Sequence, residues 1–275
     1  MLKNSIDNER LCSEGYIILP NAITKKILSN LRSFYEQSIE QAKFNVYRDK
    51  GINHVNTAMS PSKAYKKNVL NIIKKELQPV IDELFEGFKI VIANYIIKYP
   101  GGENECKVHQ DISLIEEDDT TSSYTIWFTL DTIDPKSSPL YAVPRTHRTL
   151  KNFVRGVGVT LNLNTYKDKL LPKATTLLPF NAGDILVMNP RVVHGSLPTP
   201  SNYDTRIAIG VGIIPCTKKH VLYIKENNEV KKYFVNEETM LNYNPEKKYK
   251  FKEKYEIVSP AELSYEKYKK ILENI

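Results

Sequence analysis

Between Phe88 and Ile214 the chain is a succession of short β-type runs, with no helical segment long enough to cross between parallel strands. Phe88–Tyr99 is rich in Ile and Val and stops at Pro100-Gly101-Gly102, a combination that reads as a strand ending in a turn. Further runs follow at Lys107–Ile115, Tyr124–Asp131, Leu140–Val143, Val157–Leu163, Thr175–Leu178, Asp184–Asn189, Val192–Ser196 and Arg206–Ile214. Neighbouring parallel strands need a long crossover connection, usually a helix. About eight strands joined by turns therefore predict an antiparallel sandwich or barrel, mainly β with flanking helices.

The flanks divide the 275 residues of one domain into a helical N-terminal support over about 1–87, a core over about 88–215 and a peripheral extension over about 216–275. Asn21 is placed to cap a helix through about Lys43, with Ile23, Ile27, Leu31 and Tyr35 on one stripe. Helical periodicity returns from Pro61 to Gly87, with Pro79 expected to break it in two. The polar stretch between them carries His54 and reads as a loop facing a pocket. A strand is expected near His220–Lys225 and a last helix from Pro260.

Composition excludes more than it selects. Hydrophobic residues at 41% and charged residues at 26% are ordinary globular usage. No apolar run approaches the ~20 residues of a membrane span, and Met1 to Arg10 lacks a signal-peptide pattern. Cys12, Cys106 and Cys216 are far apart without a CxxC pair, which fits a reducing compartment. A soluble cytoplasmic protein, monomer or homodimer, is expected. The net charge of +7 comes from lysines interleaved with Glu, so solvated faces rather than a nucleic-acid partner account for it. A basic rim of this kind also suits an acidic small molecule or a carrier-bound or coenzyme A-bound intermediate.

Side chains two apart on a strand share a face. His109 and Asp111 therefore project together, with Gln110 opposite; His194 and Ser196 share a face by the same rule. Two histidines and one carboxylate on one side of an ion, with the other positions open, is the arrangement of non-haem Fe(II) oxygenases. A hard iron–oxygen site has no need of the nearby Cys106 sulfur. Arg206 shares its face with Ala208, Gly210 and Gly212, while Ile207, Ile209, Val211 and Ile213 form the other. A buried arginine requires an acid, its planar fork matches a carboxylate, and the small neighbours leave room for one. Thr125, Trp127 and Thr129 likewise share a polar face that points into a pocket.

These stretches, together with Leu140-Tyr-Ala-Val-Pro144, Ala182-Gly-Asp-Ile-Leu-Val187 and His194-Gly-Ser-Leu-Pro198, resemble the phytanoyl-CoA dioxygenase-like family of Fe(II)/2-oxoglutarate-dependent oxygenases, from Gly15 to about Pro215. The resemblance implies a double-stranded β-helix, a jelly-roll or cupin-like barrel covered by helices. It implies His109, Asp111 and His194 as iron ligands. It further implies Arg206 on the distal carboxylate of 2-oxoglutarate, with Ser196 assisting and Trp127 as another wall. A polar residue on the preceding strand, Asn94 or Lys98, completes that site. Fe(II), 2-oxoglutarate and O2 are the implied cofactors, with ascorbate as a supporting reductant. The implied reaction hydroxylates an unactivated C–H bond and releases succinate and CO2. Relatives that halogenate have a small residue in place of the carboxylate, so Asp111 points to a hydroxylase.

One departure is Pro144-Arg-Thr-His147, which would turn Arg145 toward an anionic substrate, with His54 as a further substrate contact. The acidic stretch Glu116–Ser123 reads as a mobile lid. The competing reading is a non-oxidative cupin-like metal-binding module or isomerase, which has no use for the dicarboxylate clamp of Arg206 and Ser196.

Overall fold

The computed structural model describes residues 1–118, 121–149, 154–159, 162–177, 180–244, 251–258, 269–271 and 273. Its strands in chain order are β1 (Tyr16–Leu19), β2 (His54–Asn56), β3 (Phe88–Lys98), β4 (Cys106–His109), β5 (Tyr124–Thr129), β6 (Leu140–Val143), β7 (Thr175–Thr176), β8 (Ile185–Met188), β9 (Val193–Ser196) and β10 (Arg206–Pro215), followed by β11 (Val221–Glu226), β12 (Glu229–Phe234) and β13 (Tyr255–Ile257). One sheet runs β1-β8-β5-β10-β3-β2 and a second runs β4-β9-β6-β7, with β11-β12-β13 apart. All ladders between these strands are antiparallel. This is the expected jelly-roll architecture with flanking helices.

Pairing across the larger sheet follows the alternation in the sequence. Ala208 lies between Ile96 and Thr129, Gly210 between Asn94 and Trp127, and Gly212 between Ile92 and Thr125. These residues form the inner face, with Arg206 beside Lys98 at one end. The opposite face carries Tyr95, Ile97, Ile126, Phe128, Ile209 and Val211, each at most 1% exposed. The Lys63–Leu84 helix covers it, burying Tyr65, Val69, Ile73, Leu77 and Ile81 at a strict spacing of four. Burying an aliphatic side chain contributes about 1.5–3 kcal/mol, so this one stripe anchors the helix.

That stripe also explains a difference from expectation. The helix runs unbroken through Pro79, which sits on its exposed side. Proline in a helix costs ~3 kcal/mol, less than Leu77 and Ile81 gain on either side of it by burial. The earlier helix begins at Lys25, capped by the Thr24 hydroxyl. Asn21 instead takes a left-handed turn (φ 53°) and donates its backbone N–H to Asp184. A helix at Ser5–Glu14 was not expected; Gly15 ends it at φ 89°, where an added Cβ would lie 2.3 Å from His147.

The strand expected at Val157–Leu163 is reduced to bridges at Gly156–Val159 and Val157–Ile224, and Leu163 opens a 3-10 turn. Residues 160–161 lie outside the described residues, as do Leu178 of the expected Thr175–Leu178 strand and the start of the helix expected from Pro260. No helix of the described residues is long and apolar enough to cross a membrane.

Candidate metal centre

His109 ends β4 and pairs with His194 on β9, and β9 pairs in turn with β6 through Ala142. Asp111 follows just beyond the strand end. Its backbone N–H donates to the Pro190 carbonyl at 3.0 Å, while Gln110 points the other way and donates to the Arg191 carbonyl. The expected alternation therefore holds past the strand end. His109 Nε2 and His194 Nε2 lie 3.7 and 3.8 Å from Asp111 Oδ1, and the three ligand atoms fall within 4.8 Å of one another.

Both rings are oriented by the backbone. Nδ1 of His109 faces the Lys107 carbonyl at 2.8 Å, and Nδ1 of His194 faces that of Val192 at 2.9 Å. Donation to these carbonyls leaves the Nε2 lone pairs toward the shared point, the tautomer a metal ligand needs. The Thr125 hydroxyl donates to Asp111 Oδ2 at 2.6 Å, which leaves Oδ1 toward the histidines. Burial works against the Asp111 carboxylate, but His194, His109 and Thr125 outweigh it and hold it below the usual carboxylate range. Burial likewise disfavours a His109 imidazolium, yet Cys106 and Asp111 outweigh it and raise the ring's pKa. Burial, with His109 beside it, pushes the His194 ring the other way, down to about 4, so Asp111 carries the negative charge of the cluster and His194 keeps a free lone pair. Cys106 Sγ is 3.8 Å from Nδ1 of His109, the nitrogen turned away from the shared point, so the thiol is a neighbour of the site and not a ligand.

The segment behind Asp111 is clamped. Arg155, 1% exposed, donates from Nε to the Asp111 carbonyl at 2.7 Å and from Nη2 to Glu117 at 2.7 Å. Arg191 forms an ion pair with the same carboxylate at 3.2 Å, and the Ser123 hydroxyl donates to it as well. The stretch expected as a mobile lid is therefore pinned at Glu117, because two buried guanidiniums need that acid. Residues 119–120 of it lie outside the described residues.

A second buried polar region adjoins the metal cluster. Arg206 donates from Nη1 to Ser138 O at 2.8 Å and Ser138 Oγ at 3.0 Å. Its guanidinium stands 5.4 Å from the Trp127 ring centroid, and among the described residues its Nε has no hydrogen-bond partner. Lys98, fully buried, donates to Ser196 Oγ at 2.6 Å, Leu197 O at 2.8 Å and Ser138 Oγ at 3.2 Å. Among the described residues neither cation has an ion-pair partner. Burial, and Arg206 beside it, push the Lys98 ammonium down to about 7; burial pushes Arg206 down to about 10. A buried and a half-buried cation with only neutral partners among the described residues, beside a three-ligand cluster, fit a dianion that also reaches the metal. The donor set of the cluster fits Fe(II), and the cation pair fits 2-oxoglutarate.

The other expected site residues divide. Trp127 stands by Arg206, whereas Ser196, expected beside Arg206, has its hydroxyl on Lys98. His54 pairs with Lys98 across β2 and β3 and so lies at the Arg206 end of the sheet; burial, with Lys98 and Arg206, keeps it neutral. Asn94 lies opposite Gly210, not Arg206, and accepts from the Thr57 hydroxyl at 3.1 Å; Lys98 holds the place beside the arginine. Arg145 does not face the site. At φ 67° its turn directs the side chain to Glu14, 2.9 Å away, and its expected role as a substrate contact is corrected.

A cavity of about 380 Å³ opens on the metal side of the barrel through Asp111 and Thr125. Its floor is the small-residue strip of Gly210 and Gly212, and its walls are mostly aliphatic. Met240, Leu241 and Tyr243 line it too. The extension expected to be peripheral thus supplies part of this cavity, because its short Glu237–Asn242 helix is tied to the long helix by Lys63–Glu238 and Lys74–Glu237 ion pairs. Thr125 and Glu117 are the site residues whose roles the sequence pattern leaves open, and the strand register favours Lys98 over Asn94 as the polar neighbour of Arg206.

A family model described as Phytanoyl-CoA dioxygenase (PhyH) matches residues 11–208. The chain belongs to the phytanoyl-CoA dioxygenase family. Its fold is similar to the non-haem α-ketoglutarate-dependent carbocyclase SnoK from nogalamycin biosynthesis, at 16% identity and a TM-score of 0.52 over 79% of this chain and 86% of that one. It is similar to AviO1 from Streptomyces viridochromogenes Tue57, at 16% identity and a TM-score of 0.51 over 79% and 97% of the two chains. It is also similar to the epimerase SnoN, solved in complex with Fe3+, α-ketoglutarate and nogalamycin RO, at 15% identity and a TM-score of 0.50 over 77% and 83%. No curated protein matches the chain in sequence. PhyH membership agrees with the resemblance drawn from the motifs, and the match ends close to Arg206.

Proposed function

We propose that this PhyH chain is an Fe(II)- and 2-oxoglutarate-dependent dioxygenase that hydroxylates an unactivated C–H bond of a small molecule, releasing succinate and CO2. One observation carries the reading: Lys98, fully buried, and Arg206, half-buried, stand beside the His109–Asp111–His194 cluster, and among the described residues neither forms an ion pair with a carboxylate. Buried charges of one sign are retained where a partner compensates them, and here a ligand has to supply it. A non-oxidative cupin-like site would leave this pair without purpose.

The residues take the following roles. His109, His194 and Asp111 hold the metal, and Thr125 keeps the Asp111 carboxylate turned to it. Arg206 and Lys98 bind the distal carboxylate of 2-oxoglutarate, Ser196 and Ser138 orient the two cations, and Trp127 closes the wall. Fe(II) with 2-oxoglutarate and O2 supplies the oxidising chemistry. The aliphatic cavity excludes water and brings a substrate C–H to the Asp111 side. The Asp111 carboxylate occupies the ligand position that halogenating relatives leave open, which favours hydroxylation. The cofactor set thus matches that expected from the motifs.

The test is anaerobic titration. Fe(II) with 2-oxoglutarate should give a weak visible absorption band in wild type, absent in His194→Ala, and Arg206→Met should require far more 2-oxoglutarate to reach it. An absent band in wild type, or a band that survives His194→Ala, would overturn the reading. Succinate release over a substrate panel would then identify the reaction.

A further inference from the structure

The cavity beside Asp111 does not share its lining with the cosubstrate region. Arg206, Lys98, Ser196 and Trp127 are outside it, and so are both histidines. What it holds is therefore distinct from what Arg206 and Lys98 hold, and lies next to Asp111. Its size lies within the range of small-molecule pockets. Along its walls run Leu70, Ile92, Ile96, Ile112, Leu114 and Met240, with the neutral polar Asn56, Asn94 and Tyr243 among them, a mainly apolar surface that suits a mainly apolar ligand.

One charged group breaks this apolar lining from an element that carries no metal ligand. Lys66, in the first turn of the Lys63–Leu84 helix, is 8% exposed and lines the cavity. Its ammonium donates to the Tyr243 carbonyl at 2.8 Å, a neutral partner. An ammonium has three donors, and among the described residues no carboxylate forms an ion pair with it. Burial lowers its pKa, and the nearby Lys63 adds to the effect. Buried lysines are almost always paired, so this one, like Arg206 and Lys98, has a place for an acid. A single ammonium is a point charge suited to a monoanion, without the fork that selects bidentate phosphate or carboxylate contacts.

We propose that the substrate is a predominantly apolar monocarboxylate, its acid held by Lys66 and its hydrocarbon body laid along the cavity toward Asp111. The proposal rests on the oxygenase reading for what happens to the substrate, and on the cavity alone for what binds. Its logic is that of an anchored chain: the acid fixes the molecule's position, and the distance from Lys66 to the metal side selects which carbon is presented.

Calorimetric titration of the full chain with decanoate, decanol and decylamine tests it, with and without anaerobic Fe(II) and 2-oxoglutarate. Decanoate should bind about tenfold or more tighter than decanol, the effect of one hydrogen bond to a charged group, and decylamine should bind weakest. Lys66→Met should bind decanoate and decanol alike, with decanol affinity unchanged, which also shows that the cavity is intact. Equal binding of decanoate and decanol in wild type overturns the proposal. So does a decanoate preference that persists in Lys66→Met, a parallel loss of both ligands in that variant, or no saturable binding of either. The wild-type comparison decides alone if the variant does not fold. Decanoate preference without 2-oxoglutarate binding would remove the oxygenase reading and leave the pocket; the reverse pattern would do the opposite.

Discussion

Two pairs of cations, wholly or partly buried, flank the metal cluster, and they differ in one respect. Arg155 and Arg191 share the carboxylate of Glu117, itself 5% exposed. Among the described residues Arg206 and Lys98 share only hydroxyls and carbonyls. The chain has therefore completed the first pair and left the second incomplete. The first does structural work: through Arg155 it fixes the backbone at Asp111. The second reads as a receptor, because burial pushes Lys98 toward its neutral form and an acid brought by a ligand would restore its charge beside Arg206. Charge alone does not distinguish a scaffold from a site; the presence or absence of the counter-charge does.

Breaking each pair should give opposite outcomes. Glu117→Ala leaves two buried guanidiniums uncompensated and should cost about 3–5 kcal/mol, read as a drop in Tm of about 10 °C. Wild-type stability in that variant would remove the distinction. Arg206→Met takes away a cation that had no acid. Its Tm should hold or rise, and metal binding should persist. Its affinity for 2-oxoglutarate should fall about a hundredfold or more, as truncation of one partner in a buried charge pair does. A calorimetric titration with unchanged affinity would refute the receptor role. Between the two pairs stands Asp111, whose backbone belongs to the first and whose carboxylate is set by Thr125. Thr125→Val should leave the Glu117 clamp intact and weaken Fe(II) binding about 10- to 100-fold, measured by competition with a chelator.

Much of this was legible from spacing. Period-two alternation placed His109 with Asp111, His194 with Ser196, and Arg206 with Gly210 and Gly212, because side-chain direction in a strand is a local property. Asn94 and Lys98 could not be separated that way. They are four apart and share a face, and only the register of β3 on β10 puts Lys98 opposite Arg206. Glu117 looked like part of an exposed acidic run because its partners Arg155 and Arg191 are distant in sequence. Arg145 was misjudged for a related reason: a positive φ in the turn decides its direction, and composition does not reveal it. Lys66 sits on a helix whose periodicity announces burial against the sheet, with no sign that the extension beyond Glu237 folds back over it. Tertiary closure, rather than local pattern, makes each of these residues what it is.

Protonation offers the subtlest way to separate the two pairs. Lys98 ionises near 7 in the folded chain and near its ordinary 10.5 when unfolded. Between those values the unfolded chain binds more protons, so stability should rise as pH increases through that window. Binding 2-oxoglutarate reverses the preference, since a carboxylate beside Lys98 favours the ammonium. Affinity for 2-oxoglutarate should accordingly fall above pH 7, by up to about tenfold per pH unit, and the stability slope should flatten when the ligand is bound. Lys98→Met should show a weaker affinity that no longer varies with pH between about 7 and 9, below the point where Arg206 titrates. The Glu117 pair has no such dependence to offer, because its carboxylate is held below the usual range by Arg155 and Arg191 despite its burial and stays ionised throughout. A pH dependence that survives in Lys98→Met would place the titrating group elsewhere and leave Arg206 as the sole cation of the receptor.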